Sequence, residues 1–359
     1  MILDGIKAPG EFRPKPIRKS FPEGERKKKP PKKKVILLLF VVLVLIIFGA
    51  FFYKTGFTFS KIITIKNIAW EKIFGEIPVS EEYLPLKDED RINVLLLGAG
   101  GQEHEEGSLL TDSIVIVSFK KSTGQIALIS IPRDLYVQIP GEDYYEKVNV
   151  VYVLGLEKYG NGLDYAKKTI GYVTGLYIDY AVTVDFEAFK ETIDVLGGVT
   201  IFLDEPFVED KQWWCDKNGL NCRPFIIEAG DQTLDGETAL FYVRSRFSSD
   251  DFDRARRQQQ IMLAIKDKIL SLGILANPLI INELFNTVAK NVKIDIMPWE
   301  LPSLIKLAQK AGVENIIRKV FDTSEEGFLY QTMENGIYIL LPTDGNFDKI
   351  RATCQKIFD

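Results

Sequence analysis

Five arginines lie within fourteen residues in the last third of the chain, and they are the strongest candidates for chemistry in the sequence. A guanidinium group is planar and always charged, and it can donate two parallel hydrogen bonds to an oxyanion. Several converging arginines therefore suit a phosphate or pyrophosphate. The alternative is a solvated charged face, balanced by Asp250, Asp251 and Asp253. The five are Arg244, Arg246, Arg254, Arg256 and Arg257.

The local spacing predicts where these side chains point. Residues three and four apart are neighbours on a helix surface, and alternate residues of an extended segment project to the same side. We therefore predict a helix from Asp253 with one arginine-rich face, preceded by an extended pair. The helical face consists of Arg254, Arg257 and Gln258, with Arg256 pointing away, and the extended pair is Arg244 and Arg246.

Polar residues also collect at the ends of three apolar runs, where α/β proteins place their binding sites. Carboxylates in the first set could hold Mg²⁺, which prefers oxygen ligands. A solvated acidic loop is the alternative there, and His104 could equally make an ordinary hydrogen bond. The Arg–Asp pair of the second set could be purely structural. The sets are residues 103–106 with Asp112, Arg133 with Asp134, and Lys147 with Asn149.

The sequence excludes several common kinds of active site. His104 is the only histidine, and no nucleophile-elbow motif lies near it, so a Ser-His-Asp hydrolase is not supported. The glycines at 98–101 fit neither the P-loop nor the dinucleotide-binding spacing. Arginine, carboxylate and a candidate metal remain, and this combination serves phosphoryl transfer, in which charge neutralisation dominates catalysis.

The charge distribution predicts a membrane protein with an external domain. Residues 1–34 contain 12 Lys and Arg against four acidic residues, whereas the rest has 33 basic and 46 acidic residues. An acidic domain is a poor candidate for nucleic-acid binding. Residues 35–53 carry no charge and approach the length that spans a bilayer. The basic flank would lie in the cytoplasm by the positive-inside rule.

Four segments are expected from this pattern. They are a disordered basic cytoplasmic tail (1–34), one transmembrane helix (35–53), a stalk (54–90) and an extracytoplasmic domain (91–359). Two alternatives stay open for the N-terminal part: a nuclear or nucleic-acid role for the basic run, and a cleaved signal peptide in place of the anchor.

The external domain is predicted to be α/β, with a mostly buried mixed sheet between two helical layers. Strands at 92–98, 113–119 and 125–131 are almost continuously apolar, which is typical of a sheet covered on both faces. Further strands are expected at 199–203 and 337–341, and helices at 164–175, 186–196 and 253–272. Cys215 and Cys222 bracket a turn-forming loop, which suits a disulfide-closed hairpin or, alternatively, two metal thiolates. Cys354 would stay unpaired.

Seven motifs in order resemble the LytR-CpsA-Psr family of cell-wall glycopolymer ligases. The resemblance covers roughly residues 91–272, and the motifs lie at 92–98, 111–113, 131–134, 147–149, 196–199, 242–246 and 251–258. It implies a membrane-anchored phosphotransferase that moves a glycopolymer from a polyprenyl-pyrophosphate carrier to a peptidoglycan hydroxyl. It also implies Mg²⁺ as the cofactor and an apolar tunnel for the lipid tail.

The resemblance assigns roles to individual residues. Mg²⁺ would bridge the pyrophosphate, Asp112 would bind the metal, and Arg257 matches the second arginine of the family's helix motif. We assign catalysis to Arg133, with Asp112 or Asp134 placing the metal or the nucleophile. Lys147 and Asn149 are counted with the pyrophosphate site. The family's pyrophosphate-binding positions correspond to Arg133, Arg244, Arg246, Arg254 and Gln258.

The sequence departs from the family pattern at two positions. Leu110 stands where the family usually has an arginine, and Gly100 stands where it usually has an aspartate. One phosphate contact and one metal carboxylate are therefore missing from their expected places. Our hypothesis is that the adjacent loop supplies the missing ligand, from Glu103, His104, Glu105 or Glu106, of which we favour His104 and Glu106. A lipid pyrophosphatase and a non-catalytic envelope-lipid-binding regulator or scaffold are the alternative functions.

Overall fold

Six strands form a central mixed sheet in the computed structural model of the protein. In spatial order they are β11 (Val292–Ile294), β6 (Tyr180–Asp185), β1 (Arg91–Ala99), β2 (Thr111–Lys120), β3 (Ile126–Ser130) and β12 (Ile317–Val320). Strands β1, β2 and β3 are successively antiparallel. Strand β6 is parallel to β1, β12 is parallel to β3, and β11 is antiparallel to β6. The three apolar runs predicted as strands are thus confirmed as β1 to β3.

The structure describes residues 84–100, 109–215, 222–271, 291–297, 299–300, 303–304 and 316–359. The predicted basic tail, the predicted transmembrane helix and most of the stalk lie outside these ranges, as do His104 and Glu106. Among the helices within these ranges, none has the length and apolar character needed to cross a membrane.

Short ribbons and helices surround the sheet. The ribbons pair β4 (Tyr136–Gln138) with β5 (Tyr145–Lys147), β7 (Val199–Leu203) with β10 (Gly230–Leu234), β8 (Phe207–Trp214) with β9 (Arg223–Ile227), and β13 (Leu329–Glu334) with β14 (Ile337–Pro342). The described α-helices are α1 (Val151–Tyr159), α2 (Gly162–Thr174), α3 (Phe186–Val195), α4 (Gly236–Arg244), α5 (Asp251–Ser271) and α6 (Asp348–Gln355). The predictions of β7, β14, α2, α3 and α5 are confirmed to within a few residues.

Helices pack on both faces of the sheet, because successive strand residues point in opposite directions. Val94 belongs to a core with side chains from α3, α4 and α5. Its neighbour Leu95 belongs to a second core with side chains from α1, α2 and α6. The predicted mixed sheet flanked by helices is confirmed.

The C-terminal part of the chain completes this sheet. Both edge strands, β11 and β12, come from residues beyond 290. Helix α6 is held through Arg91 of β1, whose guanidinium donates to the carbonyl oxygens of Cys354 (3.1 Å) and Gln355 (3.0 Å) and to Ser118 Oγ (2.9 Å). These carbonyls end the helix and would otherwise lack partners. Residues 316–359 are therefore part of the domain that carries the arginine site.

The cysteines are arranged as the sequence predicts. Cys215 and Cys222 form a disulfide that closes the hairpin of β8 and β9. Cys354 is free and buried, and burial raises the pKa of its thiol to about 12. A buried neutral thiol of this kind is inert.

One predicted element is wrong. The segment that carries Arg244 is the last turn of helix α4, not an extended pair with Arg246. The helix begins after Asp235, whose Oδ1 accepts a hydrogen bond from the backbone N–H of Thr238 at 2.8 Å. This N-terminal cap favours helix over strand. Arg246 lies in the loop between α4 and α5.

Candidate functional site

The candidate site lies at the ends of two inner strands of the central sheet, where the start of β2 meets the end of β3. These strands are antiparallel, so the start of one lies beside the end of the other. The backbone N–H of Ile131 still pairs with the carbonyl of Ile114, at 2.9 Å. Asp112 on β2 and Arg133 after β3 are thereby brought together, and the first turn of α5 lies across them.

Arg133 is the centre of this site. Its Nη1 donates to Asp112 Oδ1 and its Nε donates to Asp251 Oδ2, both at 2.9 Å. Asp134 Oδ2 lies 3.5 Å from the same Nε. The side chain is only 16% exposed. Burial lowers the pKa of Arg133, but the negative charges of Asp112 and Asp251 raise it by more than burial lowers it. The pKa of Arg133 therefore lies above its ordinary value.

Arg254 lies beside Arg133 and is incompletely paired. Its Nη2 donates to Asp251 Oδ2 and to the carbonyl of Asp112, both at 3.2 Å. Its Nε is buried and has no hydrogen-bond partner. Burial lowers the pKa of Arg254, and the positive charges of Arg133 and Arg246 lower it too. Arg254 thus keeps a buried N–H donor that the surrounding carboxylates do not satisfy.

Arg246, Arg244 and Gln258 surround these two arginines. Arg246 Nη1 lies 3.9 Å from Asp251 Oδ1. The Arg244 guanidinium stacks on the ring of Phe186 at 4.2 Å, an arrangement that leaves its N–H groups pointing outward in its plane. Ser113 Oγ donates to Gln258 Oε1 at 2.9 Å, so Gln258 is placed beside Asp112.

The structure places Arg257 elsewhere. Its Nε donates to the carbonyl of Tyr242 at 3.0 Å, its Nη1 to Ser249 Oγ at 3.1 Å, and its Nη2 to the carbonyl of Ser245. The guanidinium also stacks on Phe207, 4.9 Å from the ring centroid. Arg257 thus braces the loop between α4 and α5, and the structure does not bring it together with Arg133. The prediction that it binds pyrophosphate directly is not supported by this geometry.

Lys147 lies beside Asp134, and Asn149 lies beside the backbone of Arg133. Lys147 Nζ donates to Asp134 Oδ1 at 2.6 Å. The Asn149 backbone N–H bonds to the carbonyl of Arg133 at 3.3 Å, and its carbonyl accepts from Thr111 Oγ1 at 3.1 Å. The Asn149 Oδ1 atom is buried without a partner. Both residues therefore fix the backbone and charge around Arg133.

Two important residues are missing from the sequence prediction. Asp251 contacts Arg133, Arg246 and Arg254, whereas the sequence suggested only that it balances the charge of neighbouring arginines. Glu209 of β8 is fully buried and accepts hydrogen bonds from the backbone N–H groups of Phe247 and Ser248, both at 3.1 Å. Glu209 thus anchors the loop that carries Arg246. Its sequence neighbourhood contains no motif that signals this role.

The donor set is compatible with Mg²⁺. Asp112 and Asp251 offer hard oxygen ligands around one guanidinium, and the Asp112 side chain is 44% exposed. Mg²⁺ keeps several waters and takes few protein carboxylates, often together with substrate phosphates. Across the described ranges, no group of three or more His, Cys, Asp or Glu residues could hold a metal alone. The predicted ligands His104 and Glu106 belong to residues 101–108, outside those ranges.

Comparisons with known proteins identify the family of this chain. The sequence profile described as the LytR_cpsA_psr family matches residues 61–356. The polyisoprenyl-teichoic acid–peptidoglycan teichoic acid transferase TagT of Bacillus subtilis is 30% identical over 256 residues, which are 70% of this chain and 74% of that protein. The corresponding TagU of Oceanobacillus iheyensis is 28% identical over 268 residues, 74% and 76% of the two chains.

Solved structures show the same fold. The crystal structure of Bacillus subtilis TagV matches with a TM-score of 0.57 and 25% identity, over 75% of this chain and 97% of that one. A structure of TagT bound to LI-WTA matches with a TM-score of 0.55 and 24% identity, over 78% and 97% of the two chains.

Proposed function

Because the chain belongs to the LytR-CpsA-Psr family, we propose that it is a phosphotransferase that moves a glycopolymer from a polyprenyl-pyrophosphate carrier to a peptidoglycan hydroxyl. The observation that carries the proposal is the convergence of Arg133, Arg246 and Arg254 on Asp251, with the buried Nε of Arg254 left without a hydrogen-bond partner. A pyrophosphate would supply an acceptor for this donor and bidentate partners for the neighbouring guanidinium groups.

The cluster suits the chemistry of transfer. The acceptor hydroxyl oxygen forms a bond to the sugar-linked phosphorus and releases its proton to solvent, while the phosphorus–oxygen bond to the carrier breaks and polyprenyl phosphate leaves. Charge on the non-bridging oxygens must be stabilised throughout, and fixed guanidinium groups do this without reorganising. Arg133 and Arg254 are held in place by Asp112 and Asp251. Asp112 or Asp134 would place the metal or the attacking hydroxyl.

The proposed membrane anchor is tested by fractionating cells that contain the full-length protein. The uncharged segment 35–53 would anchor the chain with its N-terminus in the cytoplasm and residues beyond it outside. We therefore expect the protein in the membrane fraction, and recovery without detergent would contradict the anchor.

The transferase proposal is tested by an assay on the full-length protein. Purified protein would be incubated with a short-chain polyprenyl-pyrophosphate glycan, Mg²⁺ and peptidoglycan oligomers. Mass spectrometry should detect a glycan–phosphate–peptidoglycan adduct.

The other outcomes of this assay separate the alternative functions. Free polyprenyl phosphate without an adduct would indicate a lipid pyrophosphatase. Tight binding of the lipid without any product would indicate a binding protein that regulates or scaffolds wall assembly. Either result would contradict the transferase proposal.

Mg²⁺ is the proposed cofactor, and when bound it would neutralise charge on the pyrophosphate oxygens. Asp112 would hold it, with His104 and Glu106 as the further ligands. Binding of Mg²⁺ to the full-length protein without donor lipid can be measured by titration calorimetry. We expect Asp112→Asn to abolish the binding, and His104→Ala and Glu106→Ala each to weaken it by about tenfold or more, because even the outer-shell partners of a metal ligand contribute about 10- to 100-fold to metal affinity. Unchanged affinity in both of the latter variants would show that neither His104 nor Glu106 replaces the ligand missing at Gly100.

A further inference from the structure

A face of partly exposed tyrosines begins on the ribbon of β4 and β5. In this ribbon Tyr136 pairs with Lys147, and Gln138 pairs with Tyr145. Alternate strand residues project to one side, so these four side chains share a face, while Val137 points into the core and is fully buried. The rings of Tyr136 and Tyr145 stack with their centroids 5.8 Å apart.

Tyr338 of the hairpin β13–β14 extends this face to the arginine site. The backbone N–H of Leu340 donates to the carbonyl of Asp134 at 2.9 Å, which fixes the hairpin to the site. The Tyr338 ring lies 6.0 Å from Lys147 Nζ, which itself donates to Asp134. Burial raises the pKa of Tyr338, and the negative charges of Asp134 and Asp251 raise it further. Tyr338 therefore lies close to the carboxylates that contact Arg133.

We call Tyr136, Tyr145 and Tyr338 the tyrosine face. Tyr145 is 50% exposed and Tyr338 is 39% exposed, so large aromatic surfaces face the solvent beside the site. Clustered exposed apolar surface that is interspersed with polar groups is typical of a binding surface. Tyrosine offers a rigid ring and a hydroxyl, and it loses little conformational entropy when a ligand binds.

We propose that the tyrosine face binds the glycan strand of the peptidoglycan acceptor, an inference that rests on the function proposed above. A pyranose ring has an apolar C–H surface that stacks on an aromatic ring and a rim of hydroxyls that bond to polar neighbours. The face supplies both, because Gln138 and Lys147 stand among the rings. A lipid tail would leave these polar groups and the tyrosine hydroxyls without partners.

The position of the face favours the acceptor over the donor. In phosphoryl transfer the attacking and leaving oxygens lie roughly in line, on opposite sides of the phosphorus. Arg246 and Arg254 contact Asp251. Lys147 contacts Asp134 and the ring of Tyr338, and the hairpin of Tyr338 is bonded to the Asp134 carbonyl. The tyrosine face thus adjoins Asp134, one of the two carboxylates proposed above to place the attacking hydroxyl, while Arg246 and Arg254 would hold the carrier phosphate.

Variants of the full-length protein test this inference by binding and by kinetics. Tyr338→Ala and Tyr145→Ala should each raise the KM for a peptidoglycan glycan tetrasaccharide by about 3- to 10-fold, the range for loss of one ring stack, with little change in kcat. Tyr338→Phe keeps the ring and should retain most of the affinity. Ligand-observed NMR with the same tetrasaccharide would measure binding directly, without turnover.

Tyr330→Ala is the matched control. Tyr330 is 45% exposed on the same hairpin, but it pairs with Leu341 and therefore faces away from Tyr338, which pairs with Met333. Its loss should change neither the KM nor binding. Equal behaviour of Tyr338→Ala and Tyr330→Ala would overturn the inference, as would loss of donor affinity in Tyr338→Ala. Glycan binding that depends on Tyr338 in a protein without transfer activity would support the face and reject the transferase function.

Discussion

Replacing Arg133 with alanine is expected to lower kcat for glycopolymer transfer by about 10²- to 10³-fold, the usual cost of removing one preorganised charge-stabilising donor. Arg133 is the only described residue that contacts Asp112, Asp134 and Asp251 together. Its removal takes away a donor and also releases the carboxylates that orient Arg254. Arg133→Lys should recover only a small part of the rate, because an ammonium group cannot bond two carboxylates in one plane. The adduct formed per minute, followed by mass spectrometry, measures the effect.

Arg256→Ala provides the matched control within the same arginine run. Arg256 bonds Asp253 at 2.8 Å and Asp322 at 2.7 Å, away from the cluster, and its side chain is 51% exposed. The Asp253 pair is exposed, and such pairs contribute about 0–1 kcal/mol. Asp322 keeps hydrogen bonds from the backbone N–H and the hydroxyl of Ser324, so the variant should fold and keep its transfer rate. If Arg256→Ala lost as much activity as Arg133→Ala with both proteins folded, the assignment of the site to the cluster around Arg133 would be wrong.

The sequence predicts the centre of the fold well, because its strands are long and distinctly apolar. Strands β1 to β3 are almost continuously apolar, and helices α2, α3 and α5 have hydrophobic periodicity; both patterns reflect burial directly. The edge strands β11 and β12 have only three and four residues. Strands of this length are defined by the neighbours with which they pair, and a local pattern does not encode those neighbours.

The candidate site was predictable where a residue's place depends on local structure. Arg133 follows a buried strand, and Arg254 lies in the first turn of a periodic helix. Arg257 shows the limit of such reasoning. A step of three residues along a helix turns the direction of the side chain by about 300°. Arg257 therefore points about 60° away from Arg254. That rotation directs it to the carbonyls of Tyr242 and Ser245, which no spacing rule predicts.

Asp251 and Glu209 were missed because their partners are distant in sequence. Asp251 bonds Arg133 across 118 positions, and Glu209 bonds Phe247 across 38. The sequence shows an acidic residue beside arginines in the first case and an ordinary strand residue in the second. Only the tertiary fold reveals that both are buried or half-buried acceptors.

Replacing Glu209 with glutamine is expected to lower the free energy of unfolding by about 3 kcal/mol, the upper range for hydrogen bonds to a buried charged group. Glu209 Oε1 accepts from the backbone N–H groups of Lys211 and Gln212, and Oε2 accepts from those of Phe247 and Ser248, all at 3.1 Å. The amide of glutamine would turn an NH₂ group toward one of these pairs of donors. Thermal and urea denaturation of the full-length protein would measure the change.

The pH dependence of this stability distinguishes the carboxylate from a merely well-packed side chain. Burial raises the pKa of Glu209, but the hydrogen bonds from the hydroxyl and backbone of Ser248 and from other backbone N–H groups outweigh it, so the pKa lies below its ordinary value of 4.5. A carboxylate with a lowered pKa contributes its full stabilisation above the unfolded-state pKa and loses it as the pH falls through the folded-state pKa. The difference between wild type and Glu209→Gln should therefore be constant near neutral pH and shrink in acid, below about pH 4.5.

Asp210→Asn is the control for Glu209→Gln, because it changes the adjacent carboxylate at an exposed position. Asp210 Oδ1 accepts from Ser248 Oγ at 2.9 Å, yet its loss should change the unfolding free energy by less than about 0.5 kcal/mol.

Glu209 is a positioning residue, since it holds the loop that carries Arg246 and ends at Asp251. Glu209→Gln should therefore raise the KM for the donor lipid about tenfold at a temperature where the variant is folded. An unchanged donor KM would restrict Glu209 to stability alone, and an effect of equal size in Asp210→Asn would show that the buried carboxylate has no special role.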